Sequence, residues 1–130
     1  MTQTDLLTET EAAAIAVMDR YIAALNARDA EALAATLHFP RYRLTQVRVK
    51  CCETPDIYHA DFLARSGDGR HHSAWDFRRP VAASTDKVHL DVQFTRYRAD
   101  GSSMASFRSL WVIAKLQDHW AAQLRSSFAA

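Results

Sequence analysis

The sequence predicts an α+β domain in which three amino-terminal helices pack on one face of a strongly bent antiparallel sheet. Three observations predict it. Apolar residues recur at three- and four-residue spacing from Ile15 to Leu37, the period of a buried helical stripe. From Arg41 onward the dominant period is two, interrupted by one further helix start at Thr54-Pro55-Asp56, and such alternation belongs to strands with one buried face. Turn residues at Ser84-Thr85-Asp86, Asp100-Gly101 and Gln117-Asp118 cut the carboxy-terminal half into four runs, so the last strands are antiparallel neighbours and the helices cover one face.

The first helix is expected to start where Thr8 and Glu11 form a T-x-x-E capping box. Ile15, Met18, Ile22 and Leu25 define its main buried stripe, and Val17, Tyr21 and Ala24 flank it, which turns Tyr21 inward. Asp29 can cap a shorter second helix that carries Leu33 and Leu37 and stops before Pro40, with His38 at its end as a cap. One or two short strands follow from Arg41 to Glu53, with Tyr42 and Leu44 on one side and charged residues on the other. The third helix takes Thr54 as cap and Pro55 in its first turn, carries Ile57, Tyr58, Phe62 and Leu63, and ends near Ser66-Gly67-Asp68-Gly69. Four strands complete the chain: His71 to Ala83, Lys87 to Arg98, Met104 to Leu116 and His119 to Phe128.

Composition bounds the functional class. A chain of 130 residues corresponds to one domain, 1–130, and 48% hydrophobic with 24% charged residues excludes disorder as the main state. Three Gly, three Pro and no recurring period exclude collagen-like and repeat architectures. The net charge of +1 excludes a globally basic nucleic-acid binder. Arg41, Arg43, Arg48 and Lys50 form a local basic cluster without interleaved aromatics, read as protective edge-strand charge rather than a nucleic-acid site. No apolar run approaches the roughly 18 residues of a membrane span, and MTQTDLLTETE is too acidic for a signal peptide. The adjacent thiols Cys51 and Cys52 are poorly placed to bridge each other and fit a reducing compartment, so a cytoplasmic location without membrane partners is expected. His72 and Asp76 could supply two metal ligands on one strand face, but no third ligand stands at a known spacing. No metal or cofactor is expected, and no phosphate loop or nucleophile elbow is present.

The stretch Tyr21-Ile22-Ala23-Ala24-Leu25-Asn26-Ala27-Arg28-Asp29 resembles the end of the first helix in the nuclear transport factor 2-like superfamily, and Trp120 to Phe128 resembles its closing strand. That superfamily includes ketosteroid isomerases, SnoaL-like polyketide cyclases and many small bacterial proteins of unknown role. The resemblance implies a cone-shaped, cystatin-like fold, frequent dimerisation and a cavity for small apolar molecules between sheet and helices. Carried over from the isomerases, Tyr21 matches the oxyanion tyrosine, while the base falls at Thr45 and the oxyanion acid at or near Val112. Neither can do that work, which argues against isomerase chemistry by the carboxylate mechanism.

The resemblance also implies strand parity. Leu124, Ser126 and Phe128 should face the cavity, as should Ser106, Arg108, Leu110 and Val112. Arg108 among apolar wall positions suggests recognition of a ligand carboxylate or enolate, or an ion pair with Asp76 or Asp91. The opposite face, with Phe107, Trp111 and Ile113, is then apolar as well and is assigned to a homodimer interface, the alternative being a strand that curls into the core on both sides. Trp75 and Phe77 should line the cavity with Asp76 outside; a shift of one residue would make Asp76 a cavity carboxylate and general base.

The expected function is binding of a small apolar ligand bearing a carbonyl or carboxylate, with Tyr21, Thr45, Trp75, Arg108, Val112 and Ser126 as contacts. One alternative is a SnoaL-like lyase, isomerase or cyclase acting on a ketone or polyketide-like substrate. Asp76 or a histidine would be its base, and Tyr21 would donate to an enolate. The other is a structural, dimeric accessory protein with a filled cavity.

Overall fold

An uninterrupted run without Gly or Pro forms the long first helix, α1 (Gln3–Ala27). The computed structural model describes residues 3–64 and 69–128, with side chains from Thr8 onward except at 61, 63 and 64. The helix begins before Thr8, so the expected capping box lies inside it. Its buried stripe is Ala14, Val17, Met18, Tyr21 and Ala24, while Ile15, Ile22 and Leu25 are half-buried at the flank. The helix ends at Arg28, which takes a left-handed φ of 55°. Asp29 N–H then reaches back to the Ala24 carbonyl at 3.0 Å and Arg28 N–H to that of Leu25 at 3.2 Å, closing orphan carbonyls as C-caps do.

Asp29 caps α2 (Ala30–Ala34), its Oδ1 accepting from Ala32 N–H at 3.1 Å. This helix is shorter than expected. Thr36 Oγ donates to the Leu33 carbonyl at 2.6 Å, and Leu37 already opens β1 (Leu37–Leu44). His38 therefore lies in a strand, its Nε2 2.8 Å from the Ala114 carbonyl, and is not a helix cap. A short hairpin joins β1 to β2 (Val49–Cys52), and α3 (Pro55–Ala64) follows, with Thr54 Oγ1 accepting from Ile57 N–H at 3.3 Å. The expected end of α3 at Ser66, Gly67 and Asp68 lies outside the described residues, as does the Leu63 side chain.

The long strands are β3 (His72–Ala83), β4 (Lys87–Tyr97), β5 (Ser103–Leu116) and β6 (His119–Ser127), each within a residue or so of the turn-defined limits. Their order is β2-β1-β6-β5-β4-β3 in one open, curved sheet with the helices against it. All neighbours are antiparallel except β1 and β6, which run parallel because the β1–β2 hairpin docks on the free edge of β6. The side chain of Asn26 at the end of α1 imitates a strand edge: Oδ1 accepts from Ser73 N–H and Nδ2 donates to the Ser73 carbonyl, both at 2.8 Å. Those two bonds fix α1 across β3.

Two bulges decide which side chains face the helices. Trp75 pairs with Phe94 but Phe77 with Gln93, which leaves Asp76 as an extra residue. Val112 pairs with Leu124 but Ile113 with Ala122, which leaves Gln123 extra. Each bulge exchanges inside and outside along its strand. Among the described residues no helix is long and apolar enough to cross a membrane.

Candidate functional site

On the helix side, Tyr21 of α1 meets Trp111 edge-on at 4.8 Å between ring centroids and Trp75 at 6.2 Å. Trp75 and Trp111 meet at 5.9 Å, and Trp75 meets Phe94 at 6.2 Å. Both indole N–H groups are satisfied, Trp75 Nε1 by the Met18 carbonyl and Trp111 Nε1 by Ser109 Oγ, each at 3.0 Å. The result is a rigid aromatic wall under α1.

Beside this wall lies a group of cations. Arg125 of β6 is 8% exposed, and its guanidinium sits over the rings of Trp111 at 5.0 Å and Phe94 at 5.6 Å. Arg43 is its direct neighbour across the parallel pairing. Arg41 lies two residues earlier on the same strand face, is 7% exposed, and covers the Tyr58 ring at 5.5 Å. Burial pushes the Arg125 guanidinium down to about 10; the phenol of Tyr21 opposes this, Arg43 and Arg41 reinforce it, and Tyr58 opposes it. Arg125 stays cationic at neutral pH. Arg125 Nε, Arg41 Nη2 and His59 Nε2 are buried without hydrogen-bond partners among the described residues. No Asp or Glu among the described residues is buried. Chemically this is a wall of donors and flat rings.

The expected contacts divide between the two faces. Tyr21 and Trp75 stand together inside. Thr45 lies beyond the end of β1, in the turn where its backbone N–H donates to the Arg48 carbonyl at 2.9 Å; the inward residues of β1 are Arg41 and Arg43. The orientation of β5 is the reverse of that expected: Ser109, Trp111 and Ile113 are buried beneath the helices, and Arg108, Leu110 and Val112 face outward. The interface assigned to Phe107, Trp111 and Ile113 is therefore corrected: α1 covers Trp111 and Ile113, and Phe107 packs on Phe94 at 5.5 Å. Leu124, Ser126 and Phe128 likewise leave the interior.

Arg108 makes no cavity contact. Its Nε and Nη2 hold the Asp91 carboxylate at 2.7 and 2.6 Å, and Arg79 adds a contact at 3.4 Å. Both guanidinium groups stack on Phe77, which the Asp76 bulge turns outward. Hydrogen bonding to Arg108 holds the Asp91 carboxyl below its usual 3.8. Asp76 is exposed and accepts from Thr95 Oγ1 at 2.7 Å and Gln93 Nε2 at 3.1 Å. It and Tyr21 do not share a site, so Asp76 cannot serve as a base beside that phenol. His72 stacks on Tyr97 at 5.0 Å and lies 3.0 Å from His71 between Nδ1 atoms, away from any metal arrangement with Asp76.

Arg41, Arg43 and Arg125 were not singled out as site residues by the sequence reading. A signal existed in the alternation Arg41-Tyr42-Arg43-Leu44, which is equally consistent with arginines inside and apolar residues outside. The outer face confirms that choice. Tyr42, Leu44, Val49, Leu110, Val112 and Leu124 line an apolar groove of about 380 Å³, to which Arg125 and Ser126 also contribute.

No family model matches the sequence, and no curated protein matches it. Solved structures do. A protein of unknown function with a cystatin-like fold from Nostoc punctiforme superposes with a TM-score of 0.75 at 13% identity, covering 89% of this chain and 87% of that one. The chain has the nuclear transport factor 2-like, cystatin-like fold. A protein of that description from Novosphingobium aromaticivorans gives 0.75 at 16% identity, covering 96% and 85%. A ketosteroid isomerase-like protein from Erwinia carotovora atroseptica gives 0.68 at 19% identity, covering 90% and 93%. At these identities the likeness concerns architecture, and chemistry has to be argued from the side chains.

Proposed function

We propose that the protein binds a small, largely apolar molecule carrying a hydrogen-bond acceptor, held between the sheet and the helices, and that it works as a homodimer. The observation that carries the first part is Arg125. A buried charged donor left without an acceptor costs about 1–3 kcal/mol or more, and cation–π attraction to Trp111 and Phe94, about 2 kcal/mol or more for a desolvated cation, offsets that cost without supplying the missing acceptor. A protein keeps such a residue at that cost where a ligand supplies the acceptor. Trp75 is half-buried and offers flat apolar surface for the ligand body, backed by the buried Tyr21 and Trp111 rings. The dimer reading rests on the outer groove, whose Leu110, Leu124, Leu44 and Val49 are exposed and uncovered among the described residues.

The test uses 2-acetylnaphthalene, a neutral aromatic ketone. Saturable quenching of tryptophan fluorescence is expected, together with a shift of the isotope-labelled Met18 methyl, which lies in the inner wall. Tyr21→Phe should weaken binding by about 0.5–1.5 kcal/mol through loss of one donor. Shifts confined to Leu110 and Leu124, or no saturable binding, would reject an interior site.

A further inference from the structure

Like charges placed directly across a strand pair destabilise a sheet, and β1 and β6 place Arg43 against Arg125 with Arg41 on the same face. A neutral carbonyl could satisfy one N–H of Arg125. It would leave Arg41 Nη2 buried and without an acceptor, and it would do nothing for the repulsion among the guanidinium groups. A carboxylate answers both requirements, because its two oxygens offer about four acceptor sites and its charge cancels one of theirs. The flat shape of guanidinium also favours planar, two-pronged contact with such a group.

We infer that the ligand is an anion, a small carboxylate with a flat apolar body, whose carboxylate lies against Arg125 and Arg41 while its body rests on the half-buried Trp75 ring. The inference rests on the interior-binding reading above and narrows it to one charge class. Two tyrosines lie beside the cluster: Tyr21 and Tyr58 are buried with Arg125 and Arg41, and their phenols act electrostatically on Arg125. Arg108 has a bidentate carboxylate partner within the chain; among the described residues Arg125 and Arg41 have no buried carboxylate near them. The inner cations thus carry buried N–H groups without an acceptor among the described residues, and the outer one does not.

The experiment compares 2-naphthoate with 2-naphthamide, which share shape and differ in charge, by tryptophan quenching and the Met18 methyl shift. Wild-type protein should bind the carboxylate at least about tenfold more tightly, as expected for charge-assisted over neutral hydrogen bonds. Arg125→Met should abolish that preference by weakening naphthoate far more than naphthamide, and Arg41→Met should reduce it. Unliganded Arg125→Met should melt at or above the wild-type temperature, because an unpaired buried charge has been replaced by an apolar side chain. Equal wild-type affinity for the two compounds overturns the anion inference and leaves interior binding standing. Binding of neither removes both. A sharp loss of stability in Arg125→Met, with the preference retained in Arg41→Met, would make the cluster structural and overturn the inference as well.

Discussion

Arg108 and Arg125 are the same residue type on neighbouring strands, and their surroundings give them opposite roles. Arg108 is exposed, bidentate to Asp91 and stacked on Phe77. Arg125 is enclosed by rings and other arginines. The exposed pair should contribute little, since water and side-chain entropy offset most of its attraction. Arg108→Leu is therefore expected to lower the melting temperature only slightly at neutral pH. Asp91 has a folded-state value below 3.8, so whatever stability the pair supplies is present above that value and lost as pH falls through the lower folded one. Melting curves of wild type and variant should accordingly converge in acid. A difference that persists unchanged at low pH would show that Arg108 acts through its packing on Phe77.

At the scale of elements, the turns were readable because their chemistry is local. Gln117 and Asp118 both take left-handed φ, 52° and 61°, as a two-residue hairpin between twisted strands requires. Glycine suits the second position better than aspartate, and the Lys115–Asp118 contact at 3.9 Å is exposed and weak. Asp118→Gly should raise stability by about 0.5 kcal/mol, the relief of left-handed strain less the added chain entropy. Chemical denaturation would read this as a higher midpoint at unchanged slope, and a lower midpoint would contradict it. The helix order, the Asp29 and Thr54 caps and the strand limits were legible for the same local reason. Strand orientation was not. β5 carries Leu110 and Val112 on one face and Trp111 and Ile113 on the other, so its pattern has no polar side to mark as outside. The parity that the resemblance implies for Leu124, Ser126 and Phe128 is inverted in the same way. The bulges at Asp76 and Gln123 each add a residue that hydrophobic periodicity cannot detect. The inner arginines were hidden by the same ambiguity, since charge on an edge hairpin usually points to water.

Across the whole molecule, the reversal moves the proposed dimer surface from one side of the sheet to the other. Leu110, Val112 and Leu124 join Tyr42, Leu44 and Val49 in a continuous apolar groove over the four strands β2, β1, β6 and β5. A second copy of the same curved sheet is the proposed cover, because a twofold axis sets apolar strips against each other and two sheets stack face to face through such surfaces. Charge on the groove and charge in the core should then have different consequences. Leu110→Glu and Leu124→Glu place a carboxylate on residues that are 38% and 40% exposed in the single chain, so folding should survive and association should fail. Trp111 is 1% exposed and touches Tyr21, Trp75 and Arg125. Ile113 on the same buried face is 0% exposed, and Ile113→Glu should therefore unfold the chain, since an unpaired buried charge and a lost aliphatic side chain together cost about 5 kcal/mol or more, comparable to the stability of a whole small domain. Sedimentation with circular dichroism separates these outcomes: a wild-type dimer, folded monomers for the two groove variants and an unfolded chain for the core variant. A wild-type monomer at concentrations well above a micromolar dissociation constant, or a groove variant that still sediments as a dimer, would exclude this face as the interface.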